Sequence, residues 1–316
     1  MNFKPLSRRI DLQPALAAAG NVTLAALALG TLAGGLMPQF FGSLPTDGAA
    51  ILTPLVLLII AACFSIIAAM IALIVFVRES GLETAGELSA GFRNVIPLVK
   101  TALKLSRQSR ILPLLFAGSF AIMLTLTSIE NLWQPHFAGL IGAGAERSAF
   151  FGVVMGVTFF AGMLGNVLAT HLSRLLKKRY ALVSEIAHGM LALLLLFLAL
   201  SDRVTFAVIF FWLLYLTLGL TNSPQNTLLN SEIPSEQRSA MLSINSLVGY
   251  AGSILGAAGL SFVAERANIP TAWILAAALV FVSVAFCLRI DSRVQKSAPA
   301  TSSAASEKSI AAPRSL

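Results

Sequence analysis

The sequence predicts an all-α protein that crosses a lipid bilayer about eight times. Of its 316 residues, 57% are hydrophobic and 11% are charged, and the mean hydropathy is +0.83. A soluble domain carries about 25% charged residues. Apolar stretches of about 20 residues, the length that spans the hydrocarbon core as an α-helix, recur along the chain. Composition and segment length together indicate a polytopic membrane protein.

Eight apolar segments are predicted to be membrane-spanning helices, because lipid forces backbone groups to bond within their own segment. In chain order they cover residues 14–37, 51–77, 111–134, 149–172, 181–200, 204–226, 241–264 and 270–288. The first two belong to an N-terminal part, residues 1–77, and the other six form a bundle over residues 111–290. A polar connection, residues 78–110, joins these parts. The tail, residues 291–316, is rich in Ser, Ala and Lys and is predicted to be disordered.

The basic residues predict the orientation of the helices in the membrane. With eight crossings and both termini in the cytoplasm, nineteen of the 22 Lys and Arg residues lie on the cytoplasmic side. The outer loops then hold only Arg147, Arg203 and Arg266, and no predicted span contains a Lys or Arg. The formal net charge of +8 is therefore a topology signal that disfavours nucleic-acid binding. The plasma (cytoplasmic, or inner) membrane is the expected location.

The third predicted helix carries a polar stripe. Its members recur at steps of three or four residues, so they share one helix face. They are Ser119, Met123, Thr127, Glu130 or Asn131, and Gln134. Polar groups in a span are costly in lipid, which makes the stripe a candidate wall of a substrate cavity. Glu130 is expected near the outer interface, and a solvated helix end is the alternative interpretation.

The sixth predicted helix carries a second polar face. The side chains on this face or beside it are Tyr215, Gly219, Asn222, Gln225 and Asn226. Pro224 removes a backbone hydrogen bond among them and allows a kink near the cytoplasmic end. We expect these side chains to line a cavity. The alternative is hydrogen bonding between packed helices, which Asn and Gln also provide.

Four glycines of the seventh predicted helix fall on one face. They are Gly249, Gly252, Gly256 and Gly259, at spacings of three, four and three residues. Small residues at such spacing let a second helix approach closely in lipid, so this face is predicted to be a packing surface. Asn245 lies on the same face, and packing is also the expected role for it.

Glu185 and His188, one turn apart on the fifth predicted helix, are weaker candidates for proton coupling. The alternative is a pair satisfied inside the protein.

No residue spacing indicates a metal site, and no cofactor is expected. Cys63 and Cys287 lie in apolar segments and are expected to be buried packing residues. Motifs of nucleotide-binding, hydrolase and metalloprotease enzymes are missing, so no enzymatic activity is expected.

Two segments resemble the major facilitator superfamily of transporters. Residues 234–246, P-S-E-Q-R-S-A-M-L-S-I-N-S, follow the pattern P-x-x-x-R-[AS]-x-x-L-S-x-N-S that precedes the glycine-rich eleventh helix of that family. Residues 128–137, S-I-E-N-L-W-Q-P-H-F, are similar to the outer end of its seventh helix. On this resemblance, the eight predicted helices correspond to helices five to twelve of the family.

A third resemblance is weaker and concerns the cytoplasmic loop after the fourth predicted helix. Arg174, Lys177 and Lys178 match basic positions of the family motif G-x-x-x-D-R-x-G-R-R. Ser173 and Leu176 stand where this motif has Asp and its second Gly. The basic residues of the loop are then expected to hold it on the inner side of the membrane.

The resemblance implies secondary active transport of a small solute by alternating access, with or without a coupling ion. It also implies a complete C-terminal six-helix bundle and a partial N-terminal half that lacks the first four helices of the family. A chain truncated in this way is expected not to complete a transport cycle alone, and a misassigned start is an alternative explanation. Two rival functions are a non-transporting membrane scaffold and a membrane-embedded enzyme.

Overall fold

A computed structural model of the protein describes residues 12–41, 54–76, 100, 109, 112–142, 147–177, 179–233 and 238–297. This part of the chain consists of helices and short connections and contains no strand. The helices are α1 (Leu12–Phe41), α2 (Pro54–Phe76), α3 (Leu112–Ile141), α4 (Arg147–Leu175), α5 (Tyr180–Ala199), α6 (Val204–Glu232), α7 (Arg238–Leu255), α8 (Ser261–Arg266) and α9 (Ile269–Ser297). A π-helical turn, Gly256–Leu260, joins α7 to α8, and the three form one continuous rod.

The all-α prediction is confirmed, and each of the eight predicted spans lies on a helix. Five stretches are long and apolar enough to cross a membrane: α3, Ser148–Leu175 of α4, α5, α6 and Met241–Arg266 of the α7–α8 rod. Three shorter apolar stretches, Gly20–Leu36, Ile59–Val75 and Ile269–Val282, lie on α1, α2 and α9. The protein is therefore a polytopic α-helical membrane protein.

Two helices continue through an internal proline and beyond their predicted ends. α3 contains Pro135 and reaches Ile141, whereas its predicted end was residue 134. α6 contains Pro224 and reaches Glu232, whereas its predicted end was residue 226. A proline removes one backbone hydrogen bond, but neighbouring helices and hydroxyl side chains can satisfy the freed groups in a packed bundle.

The last helix also extends further than the sequence predicts. Disorder was expected from residue 291, but α9 continues to Ser297. A helix that has begun in the membrane extends at low cost, because each added residue gains a backbone hydrogen bond without a new nucleation step. The rest of the predicted tail, residues 298–316, lies outside the described residues. So does the connection 78–110, apart from Lys100 and Ser109.

α4 and α6 lie at the centre of the bundle. α4 packs on α1 and α6, α5 packs on α6 and α9, and α3 packs on α7 and α9. α3 also meets α6 along a shorter line of contact. The largest apolar core lies between α3, α5, α6 and α9, and at its α4 side Trp133 stacks on Phe211 with ring centroids 5.3 Å apart. Phe151 of α4 meets Trp133 edge-on at 5.4 Å. Aromatic packing of this kind supplies dispersion contacts that hold helices together in lipid.

Glycines set the closest helix crossings. A Cβ at Gly35 of α1 would collide with the backbone of Gly152 in α4. A Cβ at Gly165 of α4 would likewise collide with the backbone of α6 next to Gly219. A Cβ at Gly219 would collide with the backbone of α4. At these two crossings the backbones touch, which only residues without a side chain allow.

The α3–α7 contact uses three of the four glycines that the sequence places on one face. Cβ atoms at Gly252 and Gly256 would collide with the α3 backbone, and one at Gly249 would lie 3.3 Å from Met123 Cγ. Gly259 differs, since it is exposed and no described atom lies within 4 Å of its Cβ position. The π-helical turn explains this correction, because it has more residues per turn than an α-helix and so rotates Gly259 away from α3.

α2 lies at the edge of the bundle, against α1. Every side chain from Ile59 to Val75 is exposed at the surface of the described helices. Cys63 belongs to this surface and is a free, exposed thiol, so the expectation that it is buried was wrong. Hydropathy identifies a span correctly but does not show which spans have protein neighbours, and that is the reason for the error.

Candidate functional site

The polar stripe of α3 lies between two helix contacts. On one side, the backbones of Phe120 and Leu124 touch the glycines of α7. On the other side, Trp133 stacks on Phe211 of α6. Met123, Thr127, Glu130 and Gln134 occupy the helix face between these contacts. The stripe therefore lies on the face of α3 between its contacts with α7 and α6.

α6 contributes a second strip to the same groove. Gly219 packs on α4, and Gln225 bonds to α3. Asn222 lies between these two positions on the circumference of α6 and is exposed. Asn226 Nδ2 donates a hydrogen bond to Asn222 Oδ1 at 2.7 Å. We call the polar surface that α3 and α6 expose, with α7 and α4 at its sides, the polar groove.

We call inner the side of the bundle that the basic residues predict to be cytoplasmic, and outer the opposite side. Three polar side chains join the inner parts of α3, α6 and α7. Ser119 Oγ donates to Asn245 Oδ1 at 2.8 Å, and Gln225 Nε2 donates to Ser119 Oγ at 3.0 Å. Each of the three residues lies seven residues from the inner end of its helix, about 10 Å along the axis. Ser119 and Gln225 were predicted cavity residues, and the structure gives both a partner in another helix. We call this cluster the inner polar layer.

A second layer lies closer to the middle of the helices. Glu130 lies eleven residues before the end of α3 at Ile141, and Tyr215 lies eleven residues after the start of α6 at Val204. At 1.5 Å per residue, both are about 16 Å below the outer helix ends. α3 continues past Pro135, so Glu130 lies further from the helix end than the predicted end at residue 134 implies, and its depth in the membrane stays a prediction. We call Glu130 and Tyr215 the middle layer.

The two members of the middle layer differ in accessibility. Glu130 is exposed to the groove. The Tyr215 side chain is only 7% exposed, and its hydroxyl has no hydrogen-bond partner among the described residues. Phe211 packs on the Tyr215 ring from one turn away, with centroids 5.1 Å apart.

The other predicted residues of the third helix lie around the middle layer. Thr127 is half-buried, one turn nearer the inner side than Glu130. Asn131 and Gln134 are exposed. The outer part of the groove therefore carries several side chains that can form hydrogen bonds and that have no protein partner among the described residues.

Glu185 and His188 lie away from the groove, on α5. Both are buried, at 6% and 1% exposure. His188 Nδ1 donates to the Ser184 carbonyl oxygen at 2.6 Å, which assigns the ring proton to Nδ1 if His188 is neutral. His188 Nε2 has no hydrogen-bond partner among the described residues, and the ring lines a cavity with room for about one water molecule. Gln225 lines the same cavity, so this space separates His188 from the inner polar layer.

Sequence reasoning missed the role of two groups of residues. Asn245 was expected to serve helix packing, yet it bonds to Ser119 and completes the inner polar layer. The available signal was the position of Asn245, which lies as far from its helix end as Ser119 and Gln225 lie from theirs. Thr125 and Ser128 of α3 were also overlooked, and both hydroxyls are buried without a partner in the described part of the chain. Nothing in their spacing distinguishes them from ordinary packing residues.

Three of the predicted packing glycines help to position the site residues. Gly249, Gly252 and Gly256 position α7, and with it Asn245, against α3. Across the described residues, no group of three or more His, Cys, Asp and Glu side chains could hold a metal ion.

Apolar helices of membrane length around a polar groove define a polytopic membrane protein that exposes hydrogen-bonding groups inside its bundle. The sequence profile described as Major Facilitator Superfamily matches residues 11–257, well over half of the chain. The chain therefore belongs to the Major Facilitator Superfamily, a family of membrane transporters, and the resemblance inferred from its motifs is confirmed. It is an integral membrane protein whose family acts on small molecules. No curated protein matches the chain.

Proposed function

We propose that the protein takes part in secondary active transport of a small solute, with the polar groove as part of the solute path. The observation that carries this proposal is the placement of the α3 stripe. Its polar residues lie on the α3 face between the contacts with α6 and α7, where they are exposed or half-buried and lie outside the apolar core. Polar side chains are costly inside a membrane and are retained where they contact a solute or water.

Alternating access fits the way in which the groove is built. In this mechanism, two bundles rock against each other around a site near the bilayer centre. The inner polar layer and the α3–α7 glycine contact tie three helices together, so α3, α6 and α7 would move as one body. α1 packs on α4 through the Gly35–Gly152 crossing and a hydrogen bond from Asn166 Nδ2 to Asn21 Oδ1 at 3.2 Å. We assign this contact to the boundary between the two bundles.

The same proposal includes the membrane in which the protein lies, its topology, its lack of catalysis and the residues that could couple protons to transport. The protein lies in the cytoplasmic membrane with both termini inside, as the distribution of basic residues favours. It catalyses no covalent reaction. If protons drive transport, Glu185 and His188 are the candidate coupling pair, and the cavity between His188 and Gln225 is the route by which water would join them to the groove.

The proposal is tested in the source cells, where the protein has its native partners. The gene is deleted and then restored, and uptake and efflux of a panel of labelled solutes are measured. We expect one solute class to depend on the gene. Asn222→Trp, which fills the groove, should abolish that flux, whereas Leu213→Trp should not. Leu213 is exposed on the opposite face of α6 and so provides a matched control.

One rival function predicts a different result. If the protein is a membrane scaffold, no flux in the panel changes on deletion, and a second membrane protein co-purifies with the chain at fixed stoichiometry. That pair of results would overturn transport as the function.

A further inference from the structure

A cleft separate from the polar groove lies on the inner half of α4. Its volume is about 510 Å³. It is lined by Leu168, His171, Leu172 and Leu175 of α4 and by Leu220 of α6. Gly219 touches the α4 backbone, and with 3.6 residues per turn Leu220 and Asn222 lie on opposite sides of that contact. We call this space, on the side of the contact away from Asn222, the α4–α6 cleft.

The walls of the α4–α6 cleft are apolar except for His171. Leu168 is 41% exposed and Leu175 is 78% exposed, so the cleft opens at the surface of the described helices. Its volume falls in the range of about 300–1,000 Å³ that is typical of small-molecule sites. A hydrocarbon chain fits such walls better than a polar solute does, because a polar group without a hydrogen-bond partner is costly there.

Three exposed cations lie at the inner end of the cleft. Arg174 precedes Leu175 in the chain, and Lys177 and Arg179 follow in the connection to α5. A tight turn keeps them together, since the Lys177 N–H donates to the Arg174 oxygen and the Arg179 N–H donates to the Leu176 oxygen, each at 3.1 Å. This end of the cleft is therefore positively charged.

The acidic residues of the two helices do not offset this charge. Glu232 is the only Asp or Glu on α4 or α6, and it is the last residue of α6. It lies about 18 Å along the helix axis from Leu220. An occupant of the cleft that carries a negative charge at this end is thus favoured.

Charge also distinguishes between the possible occupants. Residues 1–11, before α1, contain three basic residues and one acidic residue, and residues 78–110, before α3, contain six and three. A second copy of the chain, packed about a twofold axis, would bring the basic turn against itself. Like charges repel, so these occupants fit less well than an anion does. Anionic lipids combine the required charge with hydrocarbon chains, and basic pockets between membrane helices on the cytoplasmic side are typical sites for their headgroups.

We propose that the α4–α6 cleft is a binding site for an anionic phospholipid of the cytoplasmic leaflet. One acyl chain lies along Leu168, Leu172 and Leu175, and the lipid phosphate lies at the inner end of the cleft. The Arg174 guanidinium and the Lys177 ammonium donate charge-assisted hydrogen bonds to the phosphate oxygens. The site lies outside the polar groove and involves no solute, so the inference does not depend on the proposed transport function.

The test measures which lipids stay bound to the purified chain. Phosphatidylglycerol and phosphatidylcholine with identical acyl chains are added in equal amounts to the protein in detergent, and native mass spectrometry counts the lipids retained. We expect phosphatidylglycerol to be retained in preference. Arg174→Gln should retain about fivefold less of it, which corresponds to the attraction of one cation near the membrane surface. Arg238→Gln, at an exposed position on the inner end of α7, is the matched control and should retain as much as the unmodified chain.

A second pair of variants tests the cleft itself. Leu168→Trp fills the cleft and should lower the retention of phosphatidylglycerol. Leu164→Trp is the control, because Leu164 is 51% exposed on the same helix but does not line the cleft. All the substituted side chains are exposed, so the apolar core is left intact, and circular dichroism confirms equal helix content before lipids are compared.

Several results would overturn the lipid site. These are equal retention of the two lipids, unchanged retention in Arg174→Gln or in Leu168→Trp, and a loss in Arg238→Gln as large as that in Arg174→Gln, which would indicate attraction to net charge alone. The same spectra report the mass of the assembly. A dimer that Leu168→Trp dissociates, with lipid retention unchanged, would assign the cleft to a second copy of the chain instead.

Discussion

At the scale of single residues, the inner polar layer owes its stability to one hydroxyl. Ser119 both donates to Asn245 and accepts from Gln225, so it is the only member of this layer that bonds to both of the others. Its neighbours α6 and α7 are joined to α3 through this oxygen. Interhelical hydrogen bonds in membrane proteins contribute about 0.6 kcal/mol on average and up to about 1.7 kcal/mol.

The first prediction concerns this hydroxyl. Ser119→Ala removes two interhelical bonds and leaves polar atoms of Asn245 and Gln225 without their partner, so we expect a loss of about 1–2 kcal/mol in unfolding free energy. The control is Ser246→Ala, because Ser246 is exposed and bonds only to Leu242 of its own helix. Both variants are compared by reversible unfolding in mixed micelles. Equal losses for the two serines would contradict an interhelical role.

A second residue-scale prediction uses two histidines with the same local bond. His188 Nδ1 and His171 Nδ1 each contact a carbonyl oxygen four residues earlier, at 2.6 Å and 3.0 Å. His188 is buried beside the small cavity, whereas His171 is exposed. We expect ¹⁵N-labelled protein in lipid to show the Nδ1–H form for His188, with magnetisation transfer from water to its Nε2. Variants lacking one histidine assign the signals, and an Nε2–H form of His188 would contradict the bond to Ser184.

At the scale of helices, three crossings bring backbones into contact. Hydroxyl and amide side chains bond across two of them, α3–α7 and α1–α4, so the glycines there determine where the polar residues meet. Gly252 and Gly256 hold α7 at the distance from α3 that the Ser119–Asn245 bond requires. Gly165 and Gly219 bring the backbones of α4 and α6 into contact. The polar groove is therefore a consequence of small residues placed beside it.

The element-scale prediction compares glycines in contact with glycines in open space. Gly252→Ala and Gly165→Ala place a methyl group against a neighbouring backbone, and we expect losses of about 1–3 kcal/mol. Gly259→Ala and Gly189→Ala are matched controls, since no described atom lies within 4 Å of either Cβ position. At these two sites alanine should be neutral or stabilise by about 0.5–1 kcal/mol. Thermal unfolding in one detergent ranks the four variants, and a control that loses as much as Gly252→Ala would contradict the crossing geometry.

At the scale of the whole molecule, the spans and the family could be predicted because both depend on local sequence. Apolar length identifies a helix in lipid, and the pattern around Arg238 identifies the superfamily. Contacts between helices could not be predicted in the same way. Asn245 and Cys63 show the limit: one bonds to a residue 126 positions away, and the other lies on a helix with few protein neighbours. The end of α3 was misjudged because Pro135 does not end the helix.

The last prediction concerns the orientation of the whole chain. An even number of crossings puts both termini on one side, and the excess of Lys and Arg in alternate connections assigns that side to the cytoplasm. The two native cysteines, Cys63 and Cys287, are first replaced by serine, which leaves no reactive thiol. A single cysteine is then introduced as Asp202→Cys, between α5 and α6, or as Arg179→Cys, between α4 and α5, and both positions are exposed. A membrane-impermeant maleimide added to intact cells should label Asp202→Cys and not Arg179→Cys. Permeabilised cells should allow both to react, and the reverse pattern in intact cells would invert the topology and with it the inner and outer ends of the polar groove.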